Sequence, residues 1–84
     1  MLEYRKRLHE IVDAYSARFG LSTAQRQIVR LAVEDLSLDE IAGALAISRN
    51  TLKTHIRRIL QKCDELHIRD IARDVRRSAF EESP

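Results

Sequence analysis

Three serines in the middle of this chain each precede a run of apolar residues at helical spacing. Ser22 and Ser37 are followed three residues later by Gln25 and Glu40, so both can form a capping box. In a capping box the serine hydroxyl accepts a hydrogen bond from a free N–H of the first turn, and the Gln or Glu accepts one from the serine N–H. Ser48 precedes the third run. The pattern predicts helices that begin directly after residues 22, 37 and 48.

Apolar side chains recur every three or four residues along the chain, and no segment alternates with a period of two. One such stripe covers residues 8–19 and ends at Gly20, a residue type that favours helix termination. Another stripe follows from about His67, after Asp64 and Glu65 interrupt the pattern. The fold class predicted is all-α, with five helices.

Length and composition exclude several classes of protein. Eighty-four residues allow one small domain, and a single cysteine excludes an internal disulfide framework. No stretch approaches the roughly 18 apolar residues of a membrane span, and two glycines are too few for a phosphate-binding glycine-rich loop. We therefore expect a cytoplasmic protein without contact to a membrane. No catalytic residue, metal site or cofactor is predicted.

The net charge of +2 is distributed unevenly. Residues 49–62 hold five cations and no acid, so this segment carries +5 and the rest of the chain carries −3. A local excess of this size is typical of a surface that binds a polyanion, although a run of charges can also be a solvated helix face.

A helical projection of residues 49–62 separates two faces. Apolar residues share one arc, and the opposite arc consists of residues that can all form hydrogen bonds: Asn50, Lys53, Thr54, Arg57, Arg58 and Gln61. A short helix at about 38–45, a tight turn at 46–48 and this basic helix give the order of a helix-turn-helix motif, whose second helix enters the DNA major groove. Double-stranded DNA is the partner this pattern favours.

The stretches "LSTAQRQIVRLAVEDLSLDEIA" and "ISRNTLKTHIRRILQK", which span residues 21–62, resemble the LuxR-type DNA-binding domain of bacterial transcription factors. The sequence Lys53-Thr54-His55 is the most specific part of the likeness. The resemblance implies a four-helix domain over residues 21–80. The apolar stripe before Gly20 predicts an additional amphipathic helix over residues 1–20, and residues 81–84 are left as a tail. The resemblance also implies a transcription regulator that binds DNA as a homodimer.

The resemblance assigns roles residue by residue. Lys53, Thr54 and Arg57 match positions that face bases, and Asn50 lies on the same arc. Contacts to the DNA backbone are expected from Arg49, Thr51, His55, Arg58 and Lys62. Dimerisation is expected from the apolar stripe of the last helix: Ile68, Ile71, Ala72, Val75 and Ala79.

The sequence departs from the LuxR-type pattern at several positions. The family usually has glycine where Asp35 and Ala46 stand, so two turns must form without it. After Cys63 the match fades, which weakens the expectation of a family-like dimer.

Two other functions remain open from the sequence. The promoter-reading region 4 of bacterial sigma factors also shows a stretch like "LSLDEIAGALAIS" and would bind RNA polymerase. Alternatively, the chain is an interaction module that pairs with another regulator through residues 1–19 or 67–80.

Overall fold

The computed structural model describes residues 2–81, and all regular structure in this range is helical. The helices are α1 (Leu2–Phe19), α2 (Thr23–Val33), α3 (Leu38–Leu45), α4 (Arg49–Cys63) and α5 (Ile68–Glu81). This confirms the prediction of an all-α fold with five helices. The helix starts predicted after residues 22, 37 and 48 are also confirmed.

Both predicted capping boxes form. At the start of α2, the N–H of Gln25 donates to the Ser22 hydroxyl (3.2 Å), and the Ser22 N–H donates to Gln25 Oε1 (2.9 Å). Ser37 and Glu40 repeat these bonds at the start of α3, with the same two distances. The bond from the Ser37 N–H lowers the pKa of the Glu40 carboxyl, because it stabilises the carboxylate. The first turn of α3, the helix that opens the helix-turn-helix, is thus fixed by local hydrogen bonds.

Each of the first four helices is followed by a residue in the left-handed backbone region. These residues are Gly20 (φ 66°), Asp35 (φ 65°), Ala46 (φ 55°) and Asp64 (φ 55°). Aspartate adopts this conformation more readily than most residues, whereas alanine does so at a cost. The two turns that lack the family's glycine therefore form with the same left-handed geometry.

The core is shared by all five helices. α5 packs against α1 and α2, and α3 and α4 pack against each other and against α2. The buried apolar residues are Leu8, Val12, Ile28, Val29, Val33, Ile41, Ala42, Leu52, Ile59, Cys63, Ile71, Ala72, Val75 and Ala79. α1 contributes Leu8 and Val12 to this single cluster, so it is an integral part of the packed structure.

The structure corrects the prediction for the dimer interface. Ile71, Ala72, Val75 and Ala79 are buried within the chain, and Ile68 is half-buried. Since α1 and α2 already cover this stripe, four of the five residues have no surface to offer a second copy. The periodicity identified the apolar face of α5 correctly but assigned it to the wrong neighbour.

Polar contacts attach α5 to the end of α2. The Arg76 guanidinium donates to the carbonyl oxygens of Val33 (3.2 Å) and Ala32 (3.3 Å) and to Asp35 Oδ1 (2.6 Å). The last carbonyls of a helix have no partner within the helix, so an arginine at this position satisfies groups that would otherwise need water. Arg76 therefore joins α5 to the turn that precedes α3.

Candidate nucleic-acid interface

The turn between α3 and α4 is short and defined by backbone hydrogen bonds. The left-handed Ala46 ends α3, and the Ile47 N–H donates to the Ala42 carbonyl oxygen at 3.0 Å. Ser48 then caps α4, because its hydroxyl accepts from the Thr51 N–H at 3.1 Å. These bonds fix the direction in which α4 leaves α3.

The two faces of α4 differ as the sequence predicts. Leu52, Ile59 and Cys63 are buried in the core, while Ile56 and Leu60 are half-buried. The opposite face is exposed along its whole length: Asn50, Lys53, Thr54, Arg57, Arg58 and Gln61. Three buried residues therefore anchor α4 below a continuous polar surface, and no acidic residue occurs anywhere in α4.

The uncharged candidates are held by local hydrogen bonds. The Thr54 hydroxyl donates to the Asn50 carbonyl oxygen at 3.1 Å, which leaves its methyl group as the part suited to contact another apolar group. The Ser48 hydroxyl donates to Thr51 Oγ1 at 3.0 Å, so Thr51 belongs to the cap of the helix. His55 is half-buried beside this face.

The cations of α4 fall into two groups. Lys53, Arg57 and Arg58 are exposed, and within residues 2–81 none of them forms an ion pair with a carboxylate. Arg49 differs, because its guanidinium lies 3.0 Å from Asp39 Oδ1 at the start of α3. This pair is exposed, so it contributes only about 0–1 kcal/mol, and a phosphate can compete for the arginine. The outer face of α4 thus presents three cations without a carboxylate partner among residues 2–81.

Lys62 has a structural role that the sequence did not indicate. Its ammonium donates to the Gly20 carbonyl oxygen (3.0 Å) and to Gln25 Oε1 (2.9 Å). Gln25 Oε1 is also the acceptor in the capping box of α2. Lys62 therefore joins the end of α4 to the turn between α1 and α2, and its ammonium donates two hydrogen bonds within the protein.

We expect Lys62→Met to lower the free energy of unfolding by about 1 kcal/mol, because two hydrogen bonds from the ammonium are lost. The salt dependence of DNA binding should stay unchanged, as measured by titration at several salt concentrations. Arg58→Met is the matched control: it should leave stability unchanged and reduce the slope of log K against log salt by about 0.9. A reduced slope for Lys62→Met would instead place Lys62 on the DNA backbone.

Two helices joined by a tight turn, the second one basic and facing solvent, define a helix-turn-helix domain of the type found in transcription regulators. The model of the family "Sigma-70, region 4" matches residues 20–63, slightly more than half of the chain. The chain belongs to this family, a family of DNA-binding domains and not a class of enzymes. The sequence indicated this module as the alternative to a LuxR-type domain.

A second comparison finds a likeness to part of a much longer protein. The chain is 35% identical over 57 residues to the HTH-type transcriptional regulator MalT of Yersinia enterocolitica. The aligned part covers 68% of this chain but only 6% of the length of that relative. No solved structure matches the chain. Within residues 2–81, none of the helices combines the length and the apolar character needed to cross a membrane.

One residue beside this surface was missed from the sequence. Arg69, in the first turn of α5, lines the same groove as Lys53 and Arg57. It is separated from them by more than ten residues and a turn, so no local pattern could have grouped the three cations. Arg69 therefore extends the positive surface from α4 to the start of α5.

Proposed function

We propose that this chain is a transcription regulator that binds duplex DNA with α4 in the major groove. The observation that carries the proposal is the outer face of α4, which is exposed, free of acidic residues and anchored by buried residues on its inner side. An ordinary solvated helix gains from mixing charges of both signs, whereas a surface of one sign suits a polyanion.

Lys53 and Arg57 lie one helical turn apart and are the candidates for reading guanine. Both side chains can donate to the O6 and N7 acceptors that guanine presents in the major groove. The Thr54 methyl suits the methyl group of thymine, and Asn50 suits adenine, to which it can both donate and accept. These four residues would supply the sequence preference.

Four further residues of α4 would bind the DNA backbone. Arg49, Thr51, His55 and Arg58 flank the base-reading positions, and Lys62 drops out of this group because of its intramolecular bonds. Contacts to phosphates fix the register of the protein on the duplex and dominate the salt dependence of affinity, but they do not specify sequence.

The subtype we favour is a LuxR-type regulator. Support comes from the Lys53-Thr54-His55 sequence and from the likeness to MalT, whose name describes an HTH-type transcriptional regulator. A homodimer on a two-fold-related site, with half-sites about one helical turn apart, belongs to this proposal. Because the stripe of α5 is buried, such a dimer requires a different surface.

A second candidate is a promoter reader of the sigma region 4 type that acts on RNA polymerase. The family match over residues 20–63 favours it. The two candidates share the DNA-binding surface and differ in what holds the domain at its site: a second copy in one case and the polymerase in the other. Binding of the purified chain to core RNA polymerase would support the second candidate.

Selection of bound sequences from random duplex DNA tests the function. We expect an enriched motif and an affinity that falls steeply with salt. A symmetric motif with two half-sites indicates the homodimer, and a single half-site indicates a monomeric reader. The matched control is the double variant Lys53→Ala/Arg57→Ala, which should enrich no motif while remaining folded. Absence of salt-sensitive binding by the unchanged chain would refute the proposal and favour an interaction module.

A further inference from the structure

A groove with an apolar floor runs beside the proposed DNA-reading face. It has a volume of about 430 Å³ and lies between α4 and the start of α5. Its floor is formed by Ile56 and Leu60 of α4 and by Ile68 of α5, all of them half-buried. Leu66, in the connection between the two helices, lines one wall. The groove is therefore open to solvent although its base is apolar.

Leu66 is unusually exposed for its type. It is 83% exposed, because Asp64 ends α4 in the left-handed conformation and the following N–H, that of Glu65, donates back to the Leu60 carbonyl oxygen. This geometry directs the connection away from the core. Because burial of an exposed leucine is favourable, an apolar partner that covers this wall of the groove gains affinity.

The rim of the groove carries positive charge only. Lys53, Arg57 and Arg69 line it, and neither an aspartate nor a glutamate does. None of these three cations forms an ion pair with a carboxylate in the part of the chain that the structure describes. An occupant that matches the groove must therefore be apolar along its centre and acidic along its edges.

We propose that this groove binds an acidic amphipathic helix of a partner protein, and that the bound helix excludes DNA. Lys53, Ile56, Arg57 and Leu60 follow one another at positions i, i+3, i+4 and i+7, the spacing by which a helix presents a stripe to a partner helix. The exclusion of DNA rests on the proposed function, because Lys53 and Arg57 belong to both surfaces.

DNA is a poorer match for the whole groove than such a helix. Phosphates neutralise the cations on the rim, but a nucleic-acid backbone offers no extended apolar surface to cover Ile56, Leu60 and Leu66. A helix with leucines along one side and glutamates on both flanks satisfies the floor and the rim together. Complementary charges also accelerate the encounter and disfavour basic partners.

The test uses the full chain and a fluorescein-labelled synthetic helix with leucine at positions i, i+3, i+4 and i+7 and glutamate on both flanks. We expect this probe to raise fluorescence anisotropy on binding, and unlabelled target DNA to displace it. A peptide of the same composition with scrambled spacing should bind at least about tenfold more weakly, because it cannot place its leucines on one face.

Leu66→Ser and Leu2→Ser form a matched pair of variants. Both leucines are exposed, 83% and 86%, but Leu2 lies on α1, away from the groove. We expect Leu66→Ser to lower the affinity for the probe about tenfold, because the bound probe would no longer bury a leucine at this position. The affinity for DNA should change less than about twofold. Leu2→Ser should change neither affinity.

The outcomes separate the two proposals. If the chain binds DNA but not the probe, the groove proposal is overturned and the proposed function stands. If it binds the probe but not DNA, the proposed function and the exclusion of DNA are overturned, and binding of a helix in the groove stands. Simultaneous binding of probe and DNA overturns the exclusion. An equal loss of DNA affinity in Leu66→Ser would show that DNA itself covers the groove. Self-association that disappears in Leu66→Ser would assign the groove to a second copy.

Discussion

Replacing Leu52 with alanine is expected to lower the free energy of unfolding by about 2–5 kcal/mol. Leu52 is 1% exposed and lies on the inner face of α4, where it joins the helix to the shared core. The loss combines the transfer free energy of the removed methyl groups with the cavity that they leave. Native proteins have a total stability of only about 5–15 kcal/mol, so this loss removes a large fraction of it.

Leu66→Ala is the control that matches this change atom for atom. Since Leu66 is 83% exposed, its truncation should stay within about 0.5 kcal/mol of the unchanged chain. Urea denaturation followed by circular dichroism measures both variants, and the slope of unfolding free energy against urea should be the same for each. Equal midpoints for the two variants would show that α4 is not anchored through Leu52.

The loss of DNA binding in Leu52→Ala should follow the loss of folded protein. At a temperature where the variant is folded, its outer face is unchanged, and its affinity for DNA should approach that of the unchanged chain. Low affinity in a fully folded variant would mean that Leu52 sets the orientation of α4 and not only its stability. The same denaturation curves define the temperature at which this comparison is made.

Local interactions are the part of this fold that the sequence predicts best. Ser22 and Ser37 form their capping boxes with residues only three positions away, so their helix starts depend on nothing distant. Gly20 and Asp64 end helices for a similarly local reason, the left-handed backbone conformation. The two faces of α4 also follow from helical spacing alone.

Contacts between distant parts of the chain could not be predicted in this way. Lys62 meets Gln25 across 37 residues, and Arg76 meets the end of α2 across more than 40. Both side chains look like ordinary surface cations in the sequence. The assignment of the apolar stripe of α5 to a dimer interface has a related limit. Spacing identifies an apolar face but does not tell whether the same chain or a second copy covers it.

The family assignment shows a similar limit. Residues 21–62 resemble a LuxR-type domain, and residues 20–63 match the region 4 family, so almost the same stretch carries both likenesses. The sequence Lys53-Thr54-His55 favours the LuxR type, but the likeness to that type fades after Cys63. A scaffold therefore identifies DNA binding more securely than it identifies the partner.

Replacing Arg57 with alanine is expected to weaken binding to the selected DNA motif by about 1–3 kcal/mol, a loss of roughly 5- to 150-fold. Arg57 is exposed at the centre of the outer face and has no carboxylate partner among residues 2–81, so the protein should remain folded. The loss should be smaller on random DNA, because a base contact contributes only where the correct base is present. Repeating the selection with the variant should show relaxed preference at one position of the motif, or at one position of each half-site if the motif is symmetric.

Two further arginines separate the effect of base reading from that of charge. Arg58→Ala should weaken binding to the selected motif and to random DNA to the same extent. It should also reduce the slope of log K against log salt by about 0.9, as expected for a phosphate contact. Arg73→Ala removes an exposed arginine on α5 that pairs with Asp70 at 3.5 Å, and it should leave both affinities unchanged. If Arg57→Ala behaved like Arg58→Ala, Arg57 would contact the backbone, and Lys53 would be the remaining reader of guanine. A loss confined to the selected motif would identify Arg57 as the residue through which α4 recognises its site.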